Sequence, residues 1–577
     1  MRPDLSLGTV GHNVVLPRLT SHHEIHQAKP DPVRQMTPGP PVRTKGGLNF
    51  DGLTVEGWWP PDANGAVGSS QYVQWVNFKF AVYDKSTGAL LAGPLAGNAL
   101  WANLGGACAY FNSGDPIVQY DKLAGRWVLA QPVFTPPSYA YCIAVSQTSD
   151  ATGAYNLYEF PILPFPDYPK LGIWSDGYYA TFNMFRGFTF LGSFACAFDR
   201  AKMLAGRSAT MLCFNSRYDS LLPSDIDGTI PPPAGEPAFF VNFGSNSLNF
   251  WKFHVDFANS KNSTFIGPTN VAVAPFTEVC GGGFCIPQGG TSQKLESLAD
   301  RLMYRFTYRN FGDHESLLVN HSVTADSAAG VRWYEIRNPN IKPTIFQQGT
   351  FAPADGHYRW MGSIAMDRSG DIAIGYSKSS STMSPAIFYT GRVPTDALGM
   401  MESETQIIAG GSSQPDVSRW GDYSSMSLDP IDDCTFWYTT EYVQSVSSPG
   451  PSTRIASFKF KACGKASGPD FSVGVSPSSQ SVAQGESASY NVTVDGIKGY
   501  KRLVNLSASG LPAGASAEFD PSSVTGSGLS TMSINVESGT STGTFLVTMT
   551  GTEVANGLEH SAQVILVVTA PRPPQVP

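Results

Sequence analysis

Gly114-Asp-Pro-Ile-Val-Gln-Tyr-Asp121, followed by Arg126-Trp-Val-Leu-Ala130, is the stretch that decides the fold. A polar entry, a short apolar run, an Asp at a turn and an aromatic-rich answering run read as two strands and their hairpin. The phrase returns at Tyr168-Pro-Lys-Leu-Gly-Ile-Trp-Ser-Asp176 with Tyr178-Tyr-Ala-Thr-Phe182, and at Lys294-Leu-Glu-Ser-Leu-Ala-Asp300 with Leu302-Met-Tyr-Arg-Phe306. It returns again at Met361-Gly-Ser-Ile-Ala-Met-Asp367 with Ile372-Ala-Ile-Gly-Tyr376, and at Tyr423-Ser-Ser-Met-Ser-Leu-Asp429 with Cys434-Thr-Phe-Trp-Tyr438. A weaker copy around Pro237–Asn242 and Leu248–Phe253 fills the long gap, and another, Tyr72–Tyr83, precedes the series.

A period near sixty residues with several strands per unit predicts an all-β chain built as a β-propeller, with seven blades and six as the alternative. One blade has two apolar faces and cannot stand alone; radial stacking covers both. Closing the ring calls for a strand from the other end of the domain, and Val55-Glu-Gly-Trp58 is the segment expected to supply it. After Gly464-Lys-Ala-Ser-Gly-Pro469 the composition shifts to Ser, Thr, Val and Gly with alternating runs, which predicts an Ig-like β-sandwich. The expected domains are an extended arm over 1–47, the propeller over 48–464, the sandwich over 470–570 and a tail over 571–577.

Composition agrees with this architecture. Of 577 residues 15% are charged, while 58 Gly and 43 Pro supply turns throughout. The net charge of -8 offers nothing to track a phosphate backbone, so nucleic acid is excluded as a partner. No apolar run reaches the roughly 18 residues of a membrane-spanning helix. Met1–Pro17 lacks the order of regions of a signal peptide, so an export signal is expected to lie outside this sequence.

The eight cysteines fall in neighbouring pairs, Cys108 and Cys142, Cys196 and Cys213, Cys280 and Cys285, Cys434 and Cys463. Four local disulfides and an oxidising, extracellular or cell-surface location follow. Metal-ligand spacing is poor: Cys280-Gly-Gly-Gly-Phe-Cys285 has no second pair. His22, His23 and His26 sit in the Pro-rich arm and read as solvated.

Pro60-Pro-Asp-Ala-Asn-Gly-Ala-Val-Gly68, the Gly114–Trp127 phrase, Cys142-Ile-Ala-Val-Ser-Gln-Thr-Ser-Asp150 and Arg419-Trp-Gly-Asp-Tyr-Ser424 together resemble a group of secreted bacterial propeller proteins over about residues 50 to 463. The tail, with Val475–Val482 and Gly510-Leu-Pro-Ala-Gly514, is similar to Ig-like repeats attached to secreted bacterial hydrolases and surface proteins. These resemblances imply fold, export and tethering, not chemistry. A looser similarity to sialidase-like propellers lacks the Asp-box pattern, so no sialidase mechanism is carried over.

In a propeller the loops entering each first strand converge on the channel mouth. The residues expected there are Asp62, Asn64, Asp115, Asp167, Lys170, Lys294, Asp313, His314, Glu315, Arg359, Trp360, Arg419, Trp420 and Asp422. Two carboxylates flanking a sugar supply acid and base, or acid and nucleophile, and Asp115 with Asp422 is the expected pair, with Glu315 in reserve. His314 between two acids suits a general base or lyase chemistry. Arg359 and Arg419 suit a substrate carboxylate, Trp360 and Trp420 a stacking surface, and Lys170 and Asp167 further substrate contacts. The bland alternatives are turn caps, ion pairs within the ring and blade-interface stacking.

No metal or cofactor is required, with structural calcium at Pro61–Gly65 as an option that lacks the acids of an EF-hand loop. Gly539-Thr-Ser-Thr-Gly543 lies in the sandwich and not at a strand-to-helix elbow, so it is no serine nucleophile. The expected function is action on an extracellular polysaccharide or cell-surface glycan, as a glycoside hydrolase or polysaccharide lyase. The rival is a non-enzymatic adhesion, glycan-binding or scaffold protein; oligomeric state is not legible.

Overall fold

The strand Arg126–Val133 shows why these sequences read as unbroken apolar runs. Trp127 and Leu129 join one buried cluster and Val128 and Ala130 another, so both faces of the strand are covered. A sheet buried on both sides has no polar face to alternate with. In the computed structural model, which describes residues 31–571 apart from 56–58, 446–449, 465–469, 478, 498 and 555–557, the chain is all-β, with 56% of residues in strands and 4% in helices.

Seven four-stranded antiparallel units follow one another. Their first strands are Asn64–Val67, Ile117–Asp121, Phe165–Ile173, Leu222–Ile226, Met303–Asn310, Tyr358–Met366 and Ser425–Leu428. In sequence order they contact one another in a closed cycle, the last returning to the first. The fourth and fifth are joined more tightly still, because Ser224–Ile226 pairs in parallel with Phe306–Tyr308 and fuses two units into one nine-stranded sheet.

Apolar clusters fill the spaces between consecutive units: Trp75 with Trp127, Tyr141 with Phe182, Trp174 with Phe239 and Tyr308, Trp333 with Ile374, and Tyr389 with Phe458. The seventh unit meets the first through Tyr72 stacked on Trp437 at 5.3 Å.

The seventh unit is completed from the N-terminal side. Thr44–Thr54 runs antiparallel to Ser452–Phe460, and the Val55 amide donates to the Pro451 carbonyl at 2.9 Å. The closing strand therefore lies just before the segment expected from the sequence, of which residues 56–58 are outside the described residues. This also corrects the boundary drawn at 47. Residues 44–47 belong to the ring, and Arg34–Gln35 pairs in parallel with the strand Thr344–Phe351. Asp31 is paired with Arg332 at 2.5 Å, and the Gln35 side chain receives the Met401 amide at 2.8 Å. The stretch reads as an arm because it has no periodicity, yet it is bolted down by side chains. His22, His23 and His26 lie outside the described residues.

Disulfides join Cys108 to Cys142, Cys196 to Cys213, Cys280 to Cys285 and Cys434 to Cys463. Cys196 and Cys213 are direct cross-strand partners, and the last pair brackets the strands Thr435–Tyr442 and Ser452–Phe460. Such bonds belong to oxidising compartments. No helix among the described residues is long and apolar enough to cross a membrane.

Residues beyond 470 form two sheets, one of four strands and one of five, that share a single core. Burial alternates along Ser487–Ile497, with Tyr490, Val492 and Val494 inward, the period-2 pattern of a sheet with one wet face. Ala397, from the sixth unit's outer connection, packs against this core.

Candidate functional site

Six of the seven first strands have a residue in the left-handed region just ahead of them or among their first four residues. These are Asp62 (φ 48°), Asp115 (48°), Tyr168 (53°), Ser220 (47°), Met361 (57°) and Asp422 (58°). Asp accepts this conformation more readily than most side chains, whereas for Tyr and Met it stores strain of order 1–3 kcal/mol. Residues at or beside four of these kinks, Asp62, Asp115, Lys170 and Asp422, lie close enough to act on one another at one mouth of the ring. The signal is visible in the sequence as Asp62-Ala-Asn, Gly114-Asp-Pro and Gly421-Asp-Tyr ahead of apolar runs.

At this mouth Asp62, Asp115, Asp167, Lys170, Arg419 and Asp422 come together from four units. Lys170 is the centre. Its ammonium group lies 3.3 Å from the Tyr168 ring centroid and 3.7 Å from that of Tyr423, and it donates to the Pro169 carbonyl at 2.9 Å. The Tyr423 hydroxyl donates to Asp115 at 2.9 Å. Arg419 forms an ion pair with Glu296 at 2.7 Å and another with Asp422. Arg301 also lies over the Tyr168 ring, 4.5 Å from its centroid, while holding Asp300 through two 2.8 Å bonds.

Burial dominates the electrostatics. It drives the Lys170 amine well below its ordinary value, with Asp115 pulling the other way. Burial and the neighbouring Asp115 and Asp422 carboxylates push Asp62 well up. Asp115 is raised by burial and by Asp422, against Lys170 and the Tyr423 hydrogen bond, and Asp167 is raised by burial and Asp115 to about 7. Glu441, fully buried and accepting from the Gly421 amide, is raised by burial as well. The mouth therefore holds carboxyls that burial pushes up, beside Asp422, which an arginine anchors.

Below the mouth the centre of the ring is crossed by ion pairs. Arg305, 2% exposed, binds Asp225 and, at 3.0 Å, Asp227, and donates to the Met426 carbonyl at 2.8 Å. Gln119 donates to Asp225 at 2.6 Å, and Lys122 pairs with Asp227. These residues come from the first strands of four units or, for Lys122 and Asp227, just beyond one, and they tie the units together across the centre.

Several expected site residues lie elsewhere. His314 and Glu315 sit in the hairpin that leaves Met303–Asn310, not the one that enters it; eight residues of strand span roughly 26 Å, which puts them at the opposite face. There His314 contacts Asp313 at 2.7 Å and stacks on Phe311, and Glu315 accepts from Tyr308. Arg359 is fully buried and saturated by Asp355 at 2.6 Å and Glu404 at 2.8 Å, beside a cavity of about 210 Å³ under Met36 and Pro38. Trp360 and Trp420 are fully buried and 6.1 Å apart, and Trp420 donates to Ser377 at 3.1 Å. They are core, not a stacking platform. Lys294 is exposed, next to Glu296, which reaches Arg419.

In the Pro61–Gly65 loop, the option for calcium, two oxygen-bearing side chains are placed by their neighbours. Asn64 gives its oxygen to the Val118 amide at 2.8 Å, and Asp62 faces Lys170 and Arg419. Among the described residues the one group with three metal-ligand side chains, Asp367 with Cys434 and Cys463, contains a disulfide. Sequence reading missed Tyr168 and Tyr423, which look like core aromatics, and Glu296, Asp300 and Arg301, which arrive from the long connection between the fourth and fifth units.

No family model matches the chain, and no curated protein does. Among solved structures it aligns with a GH43 β-1,3-galactosidase at 10% identity, over 74% of this chain and 96% of that one, with a TM-score of 0.27. A SusE-like surface polysaccharide-binding protein from the Bacteroides thetaiotaomicron heparin utilisation locus aligns at 10% identity over 61% and 54%, with a TM-score of 0.11. The surface layer protein SbsC, domains 1–6, aligns at 12% identity over 79% and 52%, with a TM-score of 0.15. At these scores the similarity carries no argument about chemistry, which rests on the residues above.

Proposed function

We propose that the chain is an exported glycan-active protein, a seven-bladed β-propeller carrying an Ig-like sandwich as spacer, that hydrolyses an extracellular polysaccharide at the mouth of the ring. The observation that carries the reading is the meeting of Asp115 and Asp422 across one mouth, in different environments. Asp115, raised by burial, is the proton donor to the leaving glycosidic oxygen. Asp422, paired with Arg419, is the second carboxyl, which activates water or attacks the sugar. Lys170 and the two tyrosines position Asp115. Lyase chemistry loses its support because His314 and Glu315 are at the far face and both arginines expected to neutralise a uronate are already paired.

The crossing ion pairs around Arg305 favour a second reading, a binding module. They close the ring just below the mouth, which suits a shallow glycan-docking surface as well as a catalytic one. The two readings separate in one experiment. The full chain is incubated with neutral, acidic and amino polysaccharides and products are read by mass spectrometry, beside Asp115→Asn and Asp422→Asn variants of verified fold. New reducing ends that fall by about a hundredfold or more in both variants support hydrolysis. Retained pull-down of a glycan without products gives the binding module, and products unaffected by either substitution defeat the assignment of the pair.

A further inference from the structure

The mouth carries a charge imbalance that bears on its ligand. Both arginines are neutralised where they stand, Arg301 by Asp300 and Arg419 by Glu296 and Asp422. Lys170 is fully buried between two rings, and burial favours its neutral form. That leaves Asp62, Asp115 and Asp167, none with a cation at ion-pair distance among the described residues. Asp62 adds an independent sign of a missing partner. It is 3% exposed, it faces Asp115 and Asp422, and its Oδ1 oxygen has no hydrogen-bond donor. A buried acceptor without a donor is costly, and a ligand that brings N–H groups relieves that cost.

Two other ligand chemistries fit worse. A uronate or sialate carboxylate needs an unpaired cation, and the mouth has none to give. A divalent metal needs several oxygens gathered around one point, and these carboxyls do not lie within 4.8 Å of one another as a set.

We propose that the mouth selects glycans bearing free amino groups, a deacetylated hexosamine chain, with Asp62 and Asp167 receiving the ammonium while Asp115 keeps its proton. The inference rests on the glycan reading and names its substrate class. An ammonium carries three N–H donors and is the positive charge that allows these carboxyls to ionise. Asp167, raised to about 7 in the free protein, then loses its proton as the ligand binds, so binding at pH 6 releases protons to the buffer.

The test is calorimetric titration of the full chain with oligomers of equal length made of glucosamine, N-acetylglucosamine or galacturonate, at pH 6 in two buffers of different ionisation enthalpy. The expected result is binding of the glucosamine oligomer about tenfold or more tighter than the acetylated one, with proton release. Asp167→Asn should lower that preference. Equal or tighter binding of the acetylated or acidic oligomer overturns the amino-group inference and leaves the glycan reading standing. No heat with any oligomer defeats both. A saturable heat with calcium chloride alone that blocks the glucosamine oligomer also overturns it, by assigning the carboxyls to a metal.

Discussion

Replacing Arg305 by Met should cost the ring most of what a buried charge network is worth. Arg305 and its two partners, Asp225 and Asp227, are 2%, 2% and 1% exposed. In the variant Asp227 keeps Lys122, whereas Asp225 keeps only the Gln119 amide and the Ile173 backbone N–H at 3.0 Å. One carboxylate and the Met426 carbonyl lose their donor in a dry site. Removing one member of such a set costs about 3–5 kcal/mol, because the others stay buried and uncompensated. That is two to nearly four decades in the folding equilibrium.

The sign with pH follows from the carboxyls. In the native protein burial pushes Asp227 up, but Arg305 and Lys122 outweigh it and hold it below its ordinary value. The stability it contributes is present above the unfolded pKa of about 3.9 and is lost as pH falls through the depressed folded value. Asp225 is raised by burial even with Arg305 present. Without Arg305 it rises further, and a raised carboxyl stabilises only while protonated. Between pH 7.5 and 4.5 the Asp225 effect narrows the gap between native protein and variant, and the Asp227 effect adds to it only below about 3.9.

Urea unfolding followed by tryptophan fluorescence at pH 7.5 and 4.5 measures this, with Arg305→Met/Asp225→Asn as companion. The double variant should recover about half of the loss. A loss under about 1 kcal/mol, or one equal at both pH values, would refute the view that this network is dry and structural.

The Asp367–Asp371 turn gives the opposite pH signature. Burial raises both carboxyls, Asp371 to about 6, so their stabilisation is full below the unfolded value near 3.9 and is lost as pH rises through about 6. Asp371→Asn should be more stable than the native protein at pH 8 by about 1–3 kcal/mol and no more stable at pH 4, read by denaturant midpoints. Cys434→Ala/Cys463→Ala opens a loop with a sequence separation of 29 and should cost roughly 3–4 kcal/mol on the loop-entropy model; an unchanged midpoint would show that the bracketed strands hold without it. Trp360→Ala should destabilise by about 3–5 kcal/mol yet leave glycan affinity of the folded protein unchanged, and a selective loss of affinity would return Trp360 to the binding surface.

The repeating units were legible because each first strand is announced by a polar entry and dismissed by an Asp turn, and because burial on both faces removes alternation from runs such as Trp127–Ala130. The disulfides were legible because each pair brackets a local element. At the mouth, Asp115, Asp167, Lys170, Arg419 and Asp422 could be picked out by position alone, since entries converge whatever their chemistry. The misplaced residues share a physical cause. A polar turn looks the same at either end of a strand, so Asp313-His-Glu was assigned to an entry when it is an exit. Arg359 and Trp360 were read as a pair, but neighbours on a strand point to opposite faces, and Asp355 and Glu404 claim the arginine. The Arg305 network could not be seen at all. It depends on which strand lies beside which, and the parallel join of Ser224–Ile226 to Phe306–Tyr308 has no mark in either segment.

The strand Thr44–Thr54 has a kinetic consequence. The Thr453 hydroxyl reaches the Leu53 carbonyl across 400 residues, so the ring cannot shut until the chain has emerged through Phe460. Until then the units form an open arc, with the Tyr72 face at one end and the Trp437 face at the other bare to solvent. Local hairpins can appear early, but the closing contact has the highest sequence separation and the largest entropic barrier, so it comes last and sets the pace. A chain still being delivered is thus kept from premature closure, and one cut short before residue 460 is left with two adhesive ends, ready-made for capture by a chaperone or by another arc like itself.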